Sequence, residues 1–232
     1  MRQLLTVLLA LVYAVPAMAQ VEFEADSRLN AEILSAGSGV TFSWEVFPEI
    51  EDVFLDGSAT GLADASSESA PVTLDVDSVF DLFATVSGTA ENGGLSNAFA
   101  SNLGLLTVEN TSNSIQNFEI AVNWSLLADT NIMDPLNDIA LGLANIEIVQ
   151  DFDEELLAET AISDLNSDQG RIELGDGLTI GFGLDPGQIA EFDFLVDADG
   201  IGSTFAVPEP NALVGLLLAF AAIPSMRWQR RI

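Results

Sequence analysis

From Val21 onward, apolar and polar residues alternate in short runs, and no stretch repeats its apolar positions at the helical spacing over three turns. Val21 to Glu24 gives a weak opening strand. Val40 to Phe47 gives a clearer one, with Val40, Phe42, Trp44 and Val46 on one face, Thr41, Ser43 and Glu45 on the other, and Pro48 closing it. Glu49 to Pro71 is rich in Asp, Ser, Ala and Gly and reads mostly as loop, with a short strand at Val53 to Leu55. Val72, Leu74, Val76, Phe80, Leu82, Ala84 and Val86 then keep one phase for longer than a single strand usually runs, so either a bend or bulge near Ser78 or a strand crossing between sheets is expected.

Gly104 to Asn110 and Phe118 to Leu126 follow as strands, the second alternating Phe118, Ile120, Val122, Trp124 and Leu126 with smaller or polar residues. Within Ile139 to Val149 the phase changes at Ala144-Asn145, where Leu141 and Leu143 give way to Ile146 and Ile148, which predicts a β-bulge. Asp151 to Glu159 is an acidic segment. Ile172 to Leu174, Leu178 to Leu184 and Glu191 to Ala198 alternate again. Asn92-Gly93-Gly94, Thr111 to Ser114, Asp176-Gly177 and Asp185 to Gln188 supply turn chemistry.

Many short alternating strands with turns between them predict an all-β fold, an antiparallel β-sandwich of Ig-like or jelly-roll-like form, over residues 20–199. Phe42, Trp44, Phe118 and Trp124 fall on inward phases and are expected in its core. Gly200 to Ala206 reads as a flexible linker.

Charge and composition narrow the functions open to such a domain. Between Gln20 and Ala206 stand 35 of the 36 acidic residues and only Arg28 and Arg171 as bases, a net charge of −33 with no lysine. That surface repels polyanions and excludes nucleic-acid binding. Cysteine and histidine are absent, which removes disulfides, Ser-His-Asp and Cys-His chemistry, and histidine-bearing metal sites. Carboxylate pairs remain, but with so many acids no pair stands out as an acid and base, and no catalytic residue is assigned. Asp197-Ala198-Asp199-Gly200 has half of a calcium-loop pattern, with Leu195 where a further ligand is needed, and Asp151-Phe152-Asp153-Glu154-Glu155 offers oxygen ligands without a recognisable loop. No metal or cofactor is assigned. Gly181-Phe182-Gly183 lacks the third glycine of a dinucleotide fingerprint.

The two ends carry the clearest signals. Arg2 precedes an apolar stretch from Leu4 to Val15, then Ala17-Met18-Ala19, a small-x-small pattern that predicts a signal peptide over residues 1–19, cut before Gln20 by signal peptidase. At the other end, residues 207–232 place Val207-Pro208-Glu209-Pro210 before an uncharged run from Asn211 to Met226. As a helix that run spans about 24 Å, against about 30 Å of hydrocarbon. Arg227, Arg230 and Arg231 follow and belong on the cytoplasmic side.

Pro-Glu-Pro, a single transmembrane helix and a basic tip in that order resemble the PEP-CTERM sorting signal of Gram-negative bacteria, which a membrane-embedded exosortase recognises; the resemblance is confined to this tail. It implies export, a transient inner-membrane intermediate with its C-terminus in the cytoplasm, exosortase processing, and delivery to the cell surface or an extracellular matrix of exopolysaccharide and biofilm. The expected function is that of a non-catalytic surface or matrix protein. The other class open to the same residues is a glycan- or calcium-binding surface module using the acidic loops.

Overall fold

A computed structural model describes residues 19–47, 49–66, 73–132, 138–151, 154–164 and 170–205. Of these, 86% are strand and none is helix, so the all-β antiparallel expectation holds. In chain order the strands are β1 (Gln20–Ala36), β2 (Val40–Val46), β3 (Ile50–Ser66), β4 (Thr73–Leu74), β5 (Val79–Asn110), β6 (Gln116–Ile132), β7 (Ile139–Gln150), β8 (Glu154–Asp164), β9 (Arg171–Leu184) and β10 (Ile189–Ser203). Hydrogen bonding traces one sheet in the order β8-β7-β10-β5-β1-β6-β9, with β2 and β3 added along β5 and β4 along β2. The terminal strands β8 and β9 approach each other without a ladder, which leaves the sheet nearly closed.

The closure is made by β5. Residues 79–91 pair with β1, residues 95–109 pair with β10, and β3 follows β5 through both halves. Between them Asn92 (φ 49°) and Gly93 (φ 89°) take left-handed backbone, and the register against β3 slips between Asp56 and Ser58, at Gly57 (φ 65°). The Asn-Gly-Gly turn chemistry therefore folds a two-stranded ribbon over on itself instead of ending a strand. The β1–β6 half comes to face the β10–β7 half, and Phe80 of the first arm lies against Trp44 at 4.3 Å and Phe194 at 5.7 Å between ring centroids.

The space between the halves tapers. At one end it is filled by Phe42, Trp44, Phe80, Phe118, Phe192 and Phe194, all buried, with edge-to-face pairs such as Phe118–Phe192 at 6.1 Å. Trp124 lies on the same inward phase but only half-buried, at the core's margin. At the other end the backbones close in. An added Cβ on Gly142 would meet the Glu24 carbonyl at 3.0 Å, and Gly88, Gly200 and Gly202 wrap the ring of Phe23. Ser27 serves this narrow region: its hydroxyl donates to the Asp197 carbonyl and accepts from the Asn145 N–H, joining β1 to β10 and β7.

Several elements differ from the sequence pattern. β3 runs the whole of residues 50–66 where mostly loop is expected. It lies outermost on β5 with both faces largely wet, so no alternation marks it. β1 extends from the weak opening strand to Ala36, its inner row built partly from Ala25, Ser27 and Ala31. The expected break near Ser78 is present, as a turn at Asp75–Ser78 with Asp77 at φ 69° and the Ser78 hydroxyl accepting from the Asp75 N–H. No bulge occurs at Ala144-Asn145. Ala140, Gly142, Ala144, Ile146 and Ile148 form one inner row, Leu141 and Leu143 face outward, and the slip lies instead between Ile148 and Val149, against β8. Asp176-Gly177 stays within β9, opposite Trp124 and Asn123. Gly200 to Ser203, expected as linker, continue β10, and Gly200 and Gly202 are packed on Phe23.

Because the Phe23 ring is held by glycines from β5 and β10, it has nowhere to swing. Gly200→Ala is expected to destabilise the fold by about 1–3 kcal/mol through overpacking. The same change in a Phe23→Leu background is expected to cost less. Denaturant melts of the four chains in this cycle check both points.

Candidate functional site

The residues expected to carry sorting fall into two groups. Ala17, Val207, Pro208, Glu209, Pro210, Arg227, Arg230 and Arg231 lie outside the described residues, as does the expected C-terminal helix. Among the described residues, no helix is long and apolar enough to cross a membrane. Ala19 and Gln20, the pair flanking the expected signal-peptidase cut, sit at the threshold of β1. Gln20 is its first residue, and the Ala19 carbonyl accepts from the Asn92 N–H at 3.2 Å. The far end of the described chain reaches the same corner: Thr204 N–H donates to the Gly94 carbonyl at 3.1 Å, and the Thr204 hydroxyl accepts from the Gly93 N–H at 2.9 Å.

The two candidate calcium segments have different fates. Asp197, Asp199 and Gly200 lie within the extended backbone of β10, not in a loop, and Gly200 is committed to Phe23. In the other segment Phe152 and Asp153 lie outside the described residues. Asp151 (φ 50°) ties β7 to β10: its N–H donates to the Glu191 carbonyl at 2.9 Å and its carboxylate accepts from the Glu191 N–H at 3.0 Å. Glu154 and Glu155 open β8 and are exposed. Among the described residues no three acidic side chains converge as a metal cage.

The closed sheet presents two outer faces of opposite character. On the β1–β6 half, β1 shows Glu22, Glu24, Asp26, Arg28, Asn30 and Glu32 to solvent, and a shallow groove of about 870 Å³ runs over Glu22, Glu24, Thr60, Thr89, Asp129 and Arg171. Both arginines of the described chain are engaged on this half, Arg28 with Asp26 at 2.8 Å, and Arg171 with Glu173 and, at 3.5 Å, Asp129.

The outer face of the β5–β10–β7 half mixes apolar and acidic positions. Register places Leu103, Leu195 and Glu147 in one row across the three strands, and Leu105, Asp193 and Val149 in the next. With Phe47, whose N–H donates to the Leu103 carbonyl, these residues line a pit of about 350 Å³. Farther along β10 the arrangement recurs with Asp199 between Phe99 and Leu143. Burial against these apolar neighbours pushes the Asp193 carboxyl above its ordinary range. It does the same to Asp199, where a hydrogen bond from the Gly200 backbone partly offsets the effect. The two-sided apolar character was present in the sequence as Leu103 and Leu105 next to Leu106 and Val108. An outer apolar row reads as noise when only one face of a strand is expected to be buried.

No family model and no curated protein matches the chain. Among solved structures, the crystal structure of a lysenin pore aligns at 10% identity, with 68% of this chain covered and 49% of that one, so this chain spans about half its length. The TM-score is 0.09, too low to carry an argument about fold or function.

A carboxyl held above its unfolded value binds its proton more tightly in the fold than in the open chain, so ionising it costs stability as pH rises through the folded value. Asp193→Asn and Asp199→Asn chains are therefore expected to melt above the parent at neutral pH. They should lose that advantage below the ordinary carboxylate range, about pH 4. Thermal melts at the two pH values check this, and an advantage that persists in acid would contradict it.

Proposed function

We propose that this chain is a non-catalytic exported surface or matrix protein, directed across the inner membrane by its N-terminal signal peptide and processed by an exosortase at its C-terminal PEP-CTERM signal. The observation that carries the reading is the order of the last 26 residues: Val207-Pro208-Glu209-Pro210, an apolar span free of charge, then Arg227, Arg230 and Arg231. A residue set between two prolines is biased towards extended backbone, the form in which a protease reads a chain. The arginines stop the span from passing through the bilayer.

The fold supports this division of labour. The strands run from Gln20 to Ser203, and the chain at Ala19 and at Thr204 meets at the corner formed by Asn92, Gly93 and Gly94. Either signal can be removed without taking a strand from the sheet. The wet, acidic half with its paired arginines suits a solvated surface. Exopolysaccharide or biofilm matrix is the destination that the tail implies.

Processing leaves a mass signature. The surface form isolated from an exosortase-bearing Gram-negative host is expected to lack Arg227, Arg230 and Arg231. A Pro208→Ala/Glu209→Ala chain is expected to stay with the inner membrane at the mass of the unprocessed tail. Intact-mass spectrometry reads both, and a wild-type surface form that retains the three arginines would overturn the proposal.

A further inference from the structure

The outer face of the β5–β10–β7 half is apolar and acidic together, and the chain has little of its own to satisfy it. Half-buried aliphatic side chains standing side by side on an outer sheet face, with the exposed Phe47 beside them, offer a contact surface. Here they surround carboxylates with no base nearby among the described residues, whose two arginines, Arg28 and Arg171, are both paired on the opposite half. Asp193 and Glu147 lie on adjacent strands in diagonal positions, since Asp193 faces Val149 and Leu195 faces Glu147. Their Cβ atoms are therefore separated by about 7–8 Å, a spacing that one cationic head can bridge. The floor between them is Leu103, Leu105 and Leu195, walled by Phe47 and Val149.

We propose that this pit receives a lysine or arginine side chain carried on an amphipathic basic segment of a second polypeptide. The aliphatic stem lies on the leucines and the charged head between Asp193 and Glu147, in the manner of long basic side chains that keep apolar stems dry. Asp199, flanked by Phe99 and Leu143, forms a second step of the same surface six residues along β10, about 20 Å away at the rise of a strand. Between the two steps the row across the strands is Ser101, Asp197 and Asn145, so a partner with basic residues over both steps, leucine-like residues against Leu103 and Leu195 and polar ones over the middle row matches the face.

Charge selects this occupant over a second copy of the chain. Face-to-face pairing of two copies would oppose Asp193, Asp199 and Glu147 with their own kind, and the described chain has no lysine to offset them. The inference goes beyond the sorting role and does not depend on it, since it rests only on Phe47 and on residues of β5, β7 and β10.

The test uses the full chain in zwitterionic lipid nanodiscs, with empty nanodiscs subtracted, and two synthetic amphipathic peptides of one pattern, lysine–leucine and glutamate–leucine. The lysine–leucine peptide is expected to bind and the glutamate–leucine peptide not to. The isosteric Asp193→Asn/Glu147→Gln chain is expected to bind about tenfold more weakly, whereas Glu22→Gln/Glu24→Gln on the opposite half changes binding by less than about twofold. Melting curves establish that both double variants fold, and Glu147→Gln alone serves if the double variant does not. Absence of binding, or equal weakening by the two pairs of substitutions, would overturn the proposal. So would concentration-dependent self-association of the parent chain that Asp193→Asn/Glu147→Gln alters, because the face would then belong to a second copy. A gain in peptide binding on Arg227→Gln/Arg230→Gln/Arg231→Gln would overturn it as well, by assigning the pit to the chain's own tip.

Discussion

A strand of 32 residues cannot stay straight inside a domain of this size, and the structure depends on where β5 bends. Asn92 and Gly93 supply the left-handed backbone, and Gly57 on β3 folds at the same place, with Gly94 packed beside it. The two strands thus turn together and keep their pairing on either side. Everything else is placed by this fold: β1, β6 and β9 extend from the first arm, β10, β7 and β8 from the second, and the inward rows of both halves meet without a disulfide. The taper follows from the same bend. Near the corner the halves are close, and the one ring there, Phe23, is accommodated by glycines on the facing strands, whereas at the open end several aromatic rings are needed to fill the gap.

The bend also divides the surface. Each arm turns one row inward and one outward, but the outward rows were built from different residues. One half is wet and acidic; the other pairs leucine, valine and phenylalanine with carboxylates that the apolar neighbours desolvate. Holding ionised aspartates on an apolar surface costs the free domain stability, and such a cost is characteristic of positions kept for contact with something else.

Much of the sheet was legible from period-two alternation, because one buried face imprints itself on the sequence. The core aromatics Phe42, Trp44 and Phe118, the strands over residues 118–126 and 191–198, and the break near Ser78 all follow from it. What was hidden is equally physical. β3 has no buried face over most of its length, so its pairing is carried by backbone alone and its composition is that of a loop. At the narrow end inner positions must be small, so Ala140, Gly142 and Ala144 look like outer positions and Leu141 and Leu143 like core, which produced a false phase change. Asn92-Gly93-Gly94 announced a turn, but a turn residue cannot say whether the chain reverses or a paired ribbon folds. The pit at Asp193 needed three strands in register, and no single stretch of sequence contains it.

A single folded ribbon joins both halves into one sheet, and hydrogen exchange along β5 reads whether they unfold as one. Amides in residues 84–90 and 96–108 are expected to be protected to the same degree and to open together in the global unfolding event. Separate opening energies for the two arms, with one half exchanging while the other stays protected, would contradict it.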